Sequence, residues 1–251
     1  MSAWVQRSSG RFTVRHEQRD GRDVDAVLDL LEDTHRRLTP LFDAFPQDVG
    51  VVLHVSRTEL DLAQPLLPIM RRLTTPAARR YLVGWAARDE LHVLAPRLLA
   101  ERAANVEGSR EMLALTPAAL YVQLVVAQCN RALPPPWTPR ATLRVARWAW
   151  LVAGAGQWLS GQTGHARPVI ARRLREGARP SFPPSLRDAA LLGGSVIDFV
   201  ARETGPENAV RLACSPPSGG PHEALLSVLG ASELVHAEGA WRAHLARMAG
   251  R

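Results

Sequence analysis

Asp89, Glu90 and His92 form a tight group of acidic and histidine side chains. The residues around them are typical of a strand, in which side chains two apart lie on one face. Glu90 and His92 would share a face, and a carboxylate and an imidazole are both zinc ligands. No third ligand is evident, so a solvated strand face is the simpler interpretation. The alternative is a hydrolase with metal chemistry at this pair.

A second feature is the absence of aspartate and glutamate between Glu111 and Glu176. Eight arginines and a single histidine, His165, fall in this stretch. A hydrolytic zinc site needs histidine and carboxylate side chains as ligands and as general base. Any catalytic pair of helices in this stretch would therefore lack the groups that hydrolysis requires.

The composition allows a substantial core but does not define a partner. The chain has 251 residues, 46% of them hydrophobic, and a formal charge of +7 in which all 31 basic residues are arginine. Exclusive use of arginine is typical of a GC-rich genome. Arginine also binds carboxylates and phosphates in a bidentate manner, so an acidic partner stays an alternative.

The localisation is predicted from two further features. The sequence has no run of 18 apolar residues and no apolar segment near Met1, which predicts no membrane partner. Cys129 and Cys214 are far apart and lack metal-ligand spacing, so we expect both to be reduced. These observations predict a cytoplasmic protein.

The first hundred residues read as strands and one helix. A helix is predicted from Asp23 to Phe45, and residues 57–80 are expected to be irregular or to form short helical turns. Two strands joined at Arg88–Asp89 suggest a hairpin. The predicted strands are residues 12–16, 49–55, 83–87 and 90–95.

The second half reads as helices. Thr116-Pro117 and Thr138-Pro139 both carry the signal of an N-cap followed by proline, and the second of them opens a largely apolar helix that ends at Gly161. The fold class is therefore α+β: mixed strands and a helix with a small sheet in residues 1–110, then a mostly helical part in residues 111–251. We expect the two parts to form one integrated domain.

This order of elements resembles the peptidase-MA-like domains, thermolysin-like zinc metallopeptidases of the gluzincin group. The likeness covers roughly residues 11–246 and implies a thermolysin-like helical half. Trp150-Leu-Val-Ala-Gly-Ala-Gly-Gln-Trp158 is similar to the family's W-L-x-E-G-x-A segment. The other segments are Gly84-Trp85 with residues 90–96, similar to the edge strand and its exit, and residues 193–199, 229–234 and 240–245, similar to the C-terminal helices.

In active members two helices hold the zinc ion. The first carries HExxH and the second supplies a glutamate ligand. The resemblance places Val122, Gln123 and Val126 at the HExxH positions and Ala153 at the position of the glutamate. Valine and alanine offer no lone pairs, and an amide is not a general base. The expectation is a pseudo-peptidase with no metal, no cofactor and no catalytic residues.

If the family's cleft persists without zinc, its remaining activity would be binding. The resemblance implies that an extended peptide or a protein tail pairs with the edge strand, here assigned to residues 91–95. A filled groove, which would leave only a scaffold or an oligomerisation unit, is the alternative. The candidate cleft residues are Tyr121, Gln123, Arg147, Gln157, Leu91 and Val93.

A nucleic-acid partner is the third alternative. Arg140, Arg144 and Arg147 recur at helical spacing near several tryptophans, a combination that could bind single strands. The tryptophans lie on an otherwise apolar helix, so a core role with arginine stems at its edge is favoured instead. One continuous exposed stripe of these arginines would favour nucleic acid, and dispersed or paired guanidinium groups would count against it.

Overall fold

The computed structural model describes residues 3–64, 81–135 and 137–250. The α+β fold class predicted from the sequence is confirmed, because a small mixed sheet in the N-terminal part precedes a mostly helical second half. Of the segment predicted to be irregular or helical, Arg57–Ala63 forms a helix, and residues 65–80 lie outside the described residues.

The strands are β1 (Trp4–Ser8), β2 (Phe12–Glu17), β3 (Val49–His54), β4 (Gly84–Ala86) and β5 (Glu90–Leu94). The helices are α1 (Gly21–Leu38), α2 (Arg57–Ala63), α3 (Leu99–Arg102), α4 (Ser109–Ala114), α5 (Thr116–Cys129), α6 (Pro139–Ser160), α7 (Gln162–His165), α8 (Arg167–Arg175), α9 (Leu186–Thr204), α10 (Pro206–Cys214), α11 (Pro221–Leu229) and α12 (Leu234–Met248). Short 3₁₀ helices cover Gln18–Asp20 and Pro96–Leu98.

The sheet has the order β1-β2-β3-β5-β4, with β2, β3 and β5 parallel and both outer strands antiparallel to their neighbours. The predicted hairpin of β4 and β5 is confirmed. The assignment of residues 91–95 to the edge strand is wrong. After the hairpin turn β5 pairs with β3 as well as with β4, so β5 is an inner strand and β4 is the edge.

The two faces of the sheet differ because side chains alternate along each strand. On one face, Val14, Val51 and Leu91 pack into the main core. Helix α1 and the helices of the second half, α5 among them, contribute the rest of this core. The opposite face carries Trp85 and Leu94 into a smaller cluster beneath α2 and α3. The rest of that outer face holds Val52 and several polar side chains, among them Arg15, Glu90 and His92.

The predicted boundaries of the long central helix are confirmed. The Thr138 side chain accepts a hydrogen bond from the Ala141 N–H at 3.1 Å, and Gly161 ends the helix in the left-handed region at φ 87°. The N-cap prediction at Thr116 is wrong by one residue, because Leu115 is the cap and α4 precedes it directly. The predicted α1 ends at Leu38 rather than Phe45.

Helices α6 and α9 pack at very short range through glycine. A Cβ added at Gly154 would lie 2.5 Å from the Gly193 carbonyl oxygen, and one at Gly193 would lie 2.7 Å from the Trp150 carbonyl oxygen. Real side chains do not occupy such positions, so both residues must remain glycine for this contact to form.

Cys129 and Cys214 form a disulfide, so the expectation of reduced cysteines is wrong. The residues are 85 apart in sequence, but the ends of α5 and α10 meet. Asn130 secures the same junction by donating to the Ala213 carbonyl oxygen at 2.9 Å. Disulfides persist in oxidising compartments, so the cysteines no longer support the cytoplasmic prediction.

Within residues 3–64, 81–135 and 137–250, none of the helices combines the length and the apolar character that a membrane crossing requires.

Removal of this disulfide should destabilise the protein. The bridge closes a loop with a sequence separation of 85, and loss of such a bridge typically costs about 2–5 kcal/mol. We expect reductant to lower the urea midpoint of the wild-type chain to that of the Cys129→Ser/Cys214→Ser variant. The variant itself should not respond to reductant. A wild-type midpoint that is the same with and without reductant would contradict the bridge.

Candidate functional site

The predicted zinc-ligand positions lie on α5 and α6. Val122 and Val126 are buried in the main core, and Ala153 is half-buried and packs against that core. Gln123 uses its side-chain amide to donate to the Pro134 carbonyl oxygen at 3.3 Å. These residues do not fit a zinc ion, because three are hydrocarbon and the fourth donates rather than accepts at this contact.

The groove beside α5 is occupied by the segment that joins α5 to α6. Leu133, Pro134 and Pro135 of this segment are buried. The Trp137 indole N–H donates to the Ala86 carbonyl oxygen of the edge strand β4 at 2.9 Å. An incoming peptide would need such outward backbone groups of β4 for strand pairing. The segment after α5 therefore covers the outward backbone of β4 at Ala86.

Three of the predicted cleft residues are core residues instead. Leu91 and Val93 are buried on an inner strand, facing the main core. Tyr121 is also fully buried, and its hydroxyl meets Nδ1 of His35 at 2.8 Å. Burial raises the pKa of Tyr121 to about 12, so it remains a neutral phenol. None of the three can contact a ligand in a cleft.

Gln157 has a structural contact. Its Oε1 accepts from the Gly194 N–H at 2.7 Å, and its Nε2 donates to the Ala190 carbonyl oxygen at 2.6 Å. These two backbone groups are four residues apart, so the amide inserts into the hydrogen-bond ladder of α9 and ties α6 to it. The remaining candidate, Arg147, is exposed and reaches the Gly219 carbonyl oxygen at 3.5 Å.

A different polar cluster occupies the outer face of the sheet. The strand register places Arg15, Val52, His92 and Trp85 side by side across β2, β3, β5 and β4. Glu90 stands on this face opposite Gly50, where an added Cβ would lie 3.2 Å from the carboxylate. Because residue 50 is glycine, no side chain at this position crowds the Glu90 carboxylate.

The cluster is completed by His54 at the end of β3. His54 Nε2 lies 3.0 Å from His92 Nδ1, and His92 Nε2 lies 3.0 Å from Glu90 Oε2. The other carboxylate oxygen pairs with Arg15 at 2.5 Å. The Trp85 ring stacks on His92 with centroids 4.0 Å apart and planes within 7°. The result is a chain of contacts from Arg15 through Glu90 and His92 to His54.

The carboxylate fixes the roles of both imidazoles. An ionised Glu90 only accepts, so we assign the proton of His92 to Nε2. Nδ1 of His92 then accepts from Nε2–H of His54, which leaves Nδ1 of His54 as an acceptor. Burial, together with the neighbouring His92, lowers the pKa of His54 to about 4. His54 is therefore neutral at physiological pH.

The prediction of a solvated strand face at Glu90 and His92 is wrong. His92 is only 9% exposed, and both of its nitrogens face protein partners. The third member of this cluster is His54, which lies on another strand and could not be found from the sequence around Glu90. The contacts run in a line rather than converging on one point, and no group of three potential metal ligands occurs among the described residues. This geometry does not favour the metal-dependent alternative.

In the helical half, buried polar side chains on α9 and α12 contact each other. Ser195 donates its hydroxyl proton to the Leu192 carbonyl oxygen at 2.7 Å and accepts from the Trp241 indole at 3.1 Å. His244 Nε2 lies 3.0 Å from Asp198 Oδ2. Burial acts to raise the pKa of Asp198, but the adjacent His244 and the hydrogen-bonded Arg202 outweigh it and lower that pKa. These contacts join α9 to α12.

The three arginines at the start of α6 form an exposed stripe. Arg140, Arg144 and Arg147 are all exposed, one on each successive turn, and Leu143 between them is 75% exposed. None of the three pairs with a carboxylate in the part of the chain that the structure describes. The three side chains therefore form one exposed stripe, which is the arrangement that favours nucleic-acid binding, while Trp148 and Trp150 of the same helix lie in the core as expected.

Comparison with protein-family models, with curated proteins and with solved structures found nothing that matches this chain.

Proposed function

We propose that the protein is a catalytically inactive, metallopeptidase-like protein that acts as a scaffold or binding domain. The observation that carries this proposal is the state of α5. Val122 and Val126 are buried hydrocarbon at the positions where the gluzincin resemblance implies zinc-binding histidines. Gln123, at the position of the general base, is held by the Pro134 carbonyl oxygen.

The filled groove favours a scaffold over a peptide receptor. A peptide that entered the groove would have to displace buried Leu133 and Pro134 and break the Trp137 to Ala86 hydrogen bond. Each displaced buried apolar side chain costs roughly 1.5–3 kcal/mol. Pairing along residues 91–95 is not available either, because β5 is flanked on both sides. Binding would therefore use another surface of the domain.

Metal analysis of the purified protein tests the proposal. We expect no stoichiometric zinc after dialysis against zinc-containing buffer, because Val122, Val126 and Ala153 supply no ligand atoms. We also expect no hydrolysis of casein or of a fluorogenic peptide library above a heat-denatured control. Stoichiometric zinc together with hydrolysis that a chelator removes would contradict the proposal.

Nucleic-acid binding is a second candidate, favoured by the exposed stripe on α6. Three exposed guanidinium groups on consecutive turns, none of them paired with a carboxylate among the described residues, could follow the phosphates of a strand. Binding of this kind weakens with salt because it releases condensed counterions, with a slope near 0.7 per phosphate for single strands. Loss of three contacts should therefore lower that slope by about 2.

The test is fluorescence anisotropy of a labelled single-stranded oligonucleotide across a salt series. The Arg140→Gln/Arg144→Gln/Arg147→Gln variant should bind more weakly with the reduced slope. A control variant of equal net charge should keep the wild-type slope, since its arginines pair with carboxylates four residues away. Equal losses in both variants would reject the stripe as the binding site. The control changes Arg172, Arg202 and Arg242 to glutamine.

A further inference from the structure

Strand β1 is an edge of the sheet with outward backbone groups. In an antiparallel pair, successive residues point both backbone groups alternately at the neighbouring strand and away from it. The Ala3 carbonyl oxygen accepts from the Gln18 N–H at 3.1 Å. At the other end, the Ser9 N–H donates to the Phe12 carbonyl oxygen at 2.9 Å. The odd-numbered residues of β1 therefore bond to β2, and the residues whose N–H and C=O groups point away from the sheet are Trp4, Gln6 and Ser8.

The two edges of the sheet differ in how they are protected. Natural sheets discourage pairing at an edge with proline, lysine, a bulge or a covering segment. The edge strand β4 has three residues, and Trp137 takes its Ala86 carbonyl oxygen. All five residues of β1 are exposed, and β1 contains no proline, no lysine and no bulge. Its one charged residue, Arg7, pairs with Asp25 of the same chain. Strand β1 is therefore open to another strand.

The outward backbone groups of β1 are complementary to those of a second copy of β1. An antiparallel pairing about a twofold axis at Gln6 places Gln6 opposite its own copy and Trp4 opposite Ser8 of the second copy. The three residues with outward groups then face one another, and each pair exchanges two hydrogen bonds. This register pairs all five residues of β1, whereas an axis at another residue would leave part of the strand unpaired.

The side chains of β1 agree with this register. Trp4 is 50% exposed and Val5 is 37% exposed, and they lie on opposite faces of the strand. In the pair, Trp4 lies beside the small, uncharged Ser8 of the second copy. Val5 lies opposite Arg7 of the second copy, whose aliphatic stem can cover it. The two Arg7 side chains do not face each other, and each is compensated by Asp25 of its own chain. Like charges on β1 therefore do not meet in this contact.

We propose that β1 is a self-association edge, at which two copies of this chain pair antiparallel through residues 4–8 about a twofold axis at Gln6. The pairing joins the two five-stranded sheets into one continuous sheet. The contact is short, and interfaces below about 1,200 Å² belong to weak or transient complexes. We therefore expect a reversible dimer rather than an obligate one. The inference rests on β1 alone and goes beyond the scaffold function, so its failure would leave the interpretation of α5 unchanged.

Sedimentation velocity of the full chain across a concentration series tests the association. The weight-average sedimentation coefficient should rise towards that of a dimer as the concentration approaches about 500 µM, in keeping with a weak interface. A chain that stays monomeric throughout the series would overturn the proposal.

A proline at the axis of the pair tests whether the backbone of β1 makes the contact. Gln6→Pro removes an outward N–H without removing a bond to β2, and proline is tolerated on an edge strand at such a position. Both copies then lose the hydrogen bonds at the axis, so association should weaken by about 10–100-fold while the unfolding midpoint of the monomer stays unchanged. Gln6→Ala keeps the N–H and is the matched control, with association within about 2-fold of wild type. Equal association of the two variants would reject the pairing.

A charge-swap experiment tests the register itself. Gln6→Lys and Gln6→Glu each place like charges opposite one another, so each variant should self-associate about 2–5-fold more weakly than wild type. An equimolar mixture of the two should associate more tightly than either alone, because opposite charges then face each other. The matched control mixes Ser8→Lys with Ser8→Glu, whose charges lie opposite Trp4 and too far apart to attract strongly in salt. No gain in the mixture at residue 6, or an equal gain in both mixtures, would reject the proposed register.

Discussion

The constraint on which the rest of the structure depends is the burial of helix α5 between the sheet and α6. Tyr121, Val122, Leu124, Val125 and Val126 are all buried. A polar group in such a place costs about 1–3 kcal/mol unless it finds a partner, and an unpaired charge costs more. The helix meets this condition in two ways. Most of its buried positions are hydrocarbon, and two of its polar side chains that turn inward have partners: His35 for Tyr121 and Pro134 for Gln123.

The segments that pack around α5 also pair their polar groups. The segment that follows the helix folds back over the groove, where Trp137 takes the outward carbonyl oxygen of Ala86. The disulfide then ties the end of α5 to α10, and Gln157 ties α6 to α9. These contacts tie the helices of the second half together, and the described part of the segment after α5 covers the outward backbone of β4 at Ala86. The polar cluster of Arg15, Glu90, His92 and His54 lies on the opposite face of the sheet.

Local patterns in the sequence were sufficient for many of the elements, though not for strand β1, and they did not show which elements become neighbours in the fold. The β4–β5 hairpin and the ends of α6 could be predicted because turn residues, the Thr138 cap and Gly161 act within a few positions. The inner position of β5 could not, since it depends on pairing with β3 some forty residues earlier in the chain. The disulfide depends in the same way on the packing of α5 against α10.

The histidine cluster also depends on pairing between strands that are far apart in the sequence. Glu90 and His92 are two residues apart in sequence, and their shared face follows from strand alternation. His54 comes from another strand, and only the parallel register brings it to His92. The valine that precedes it by two residues, Val52, is aligned with both Arg15 and His92. A prediction of the β3–β5 register would have revealed this cluster.

Hydrogen exchange at the indole N–H of Trp137 tests most directly whether the chain fills its own groove. The resonance can be assigned by its loss in the Trp137→Phe variant. If the segment after α5 lies in the groove and the indole donates to Ala86, this proton should exchange far more slowly than that of the exposed Trp4. Exchange of the two indole protons at similar rates would mean that the groove is open, and would contradict the account.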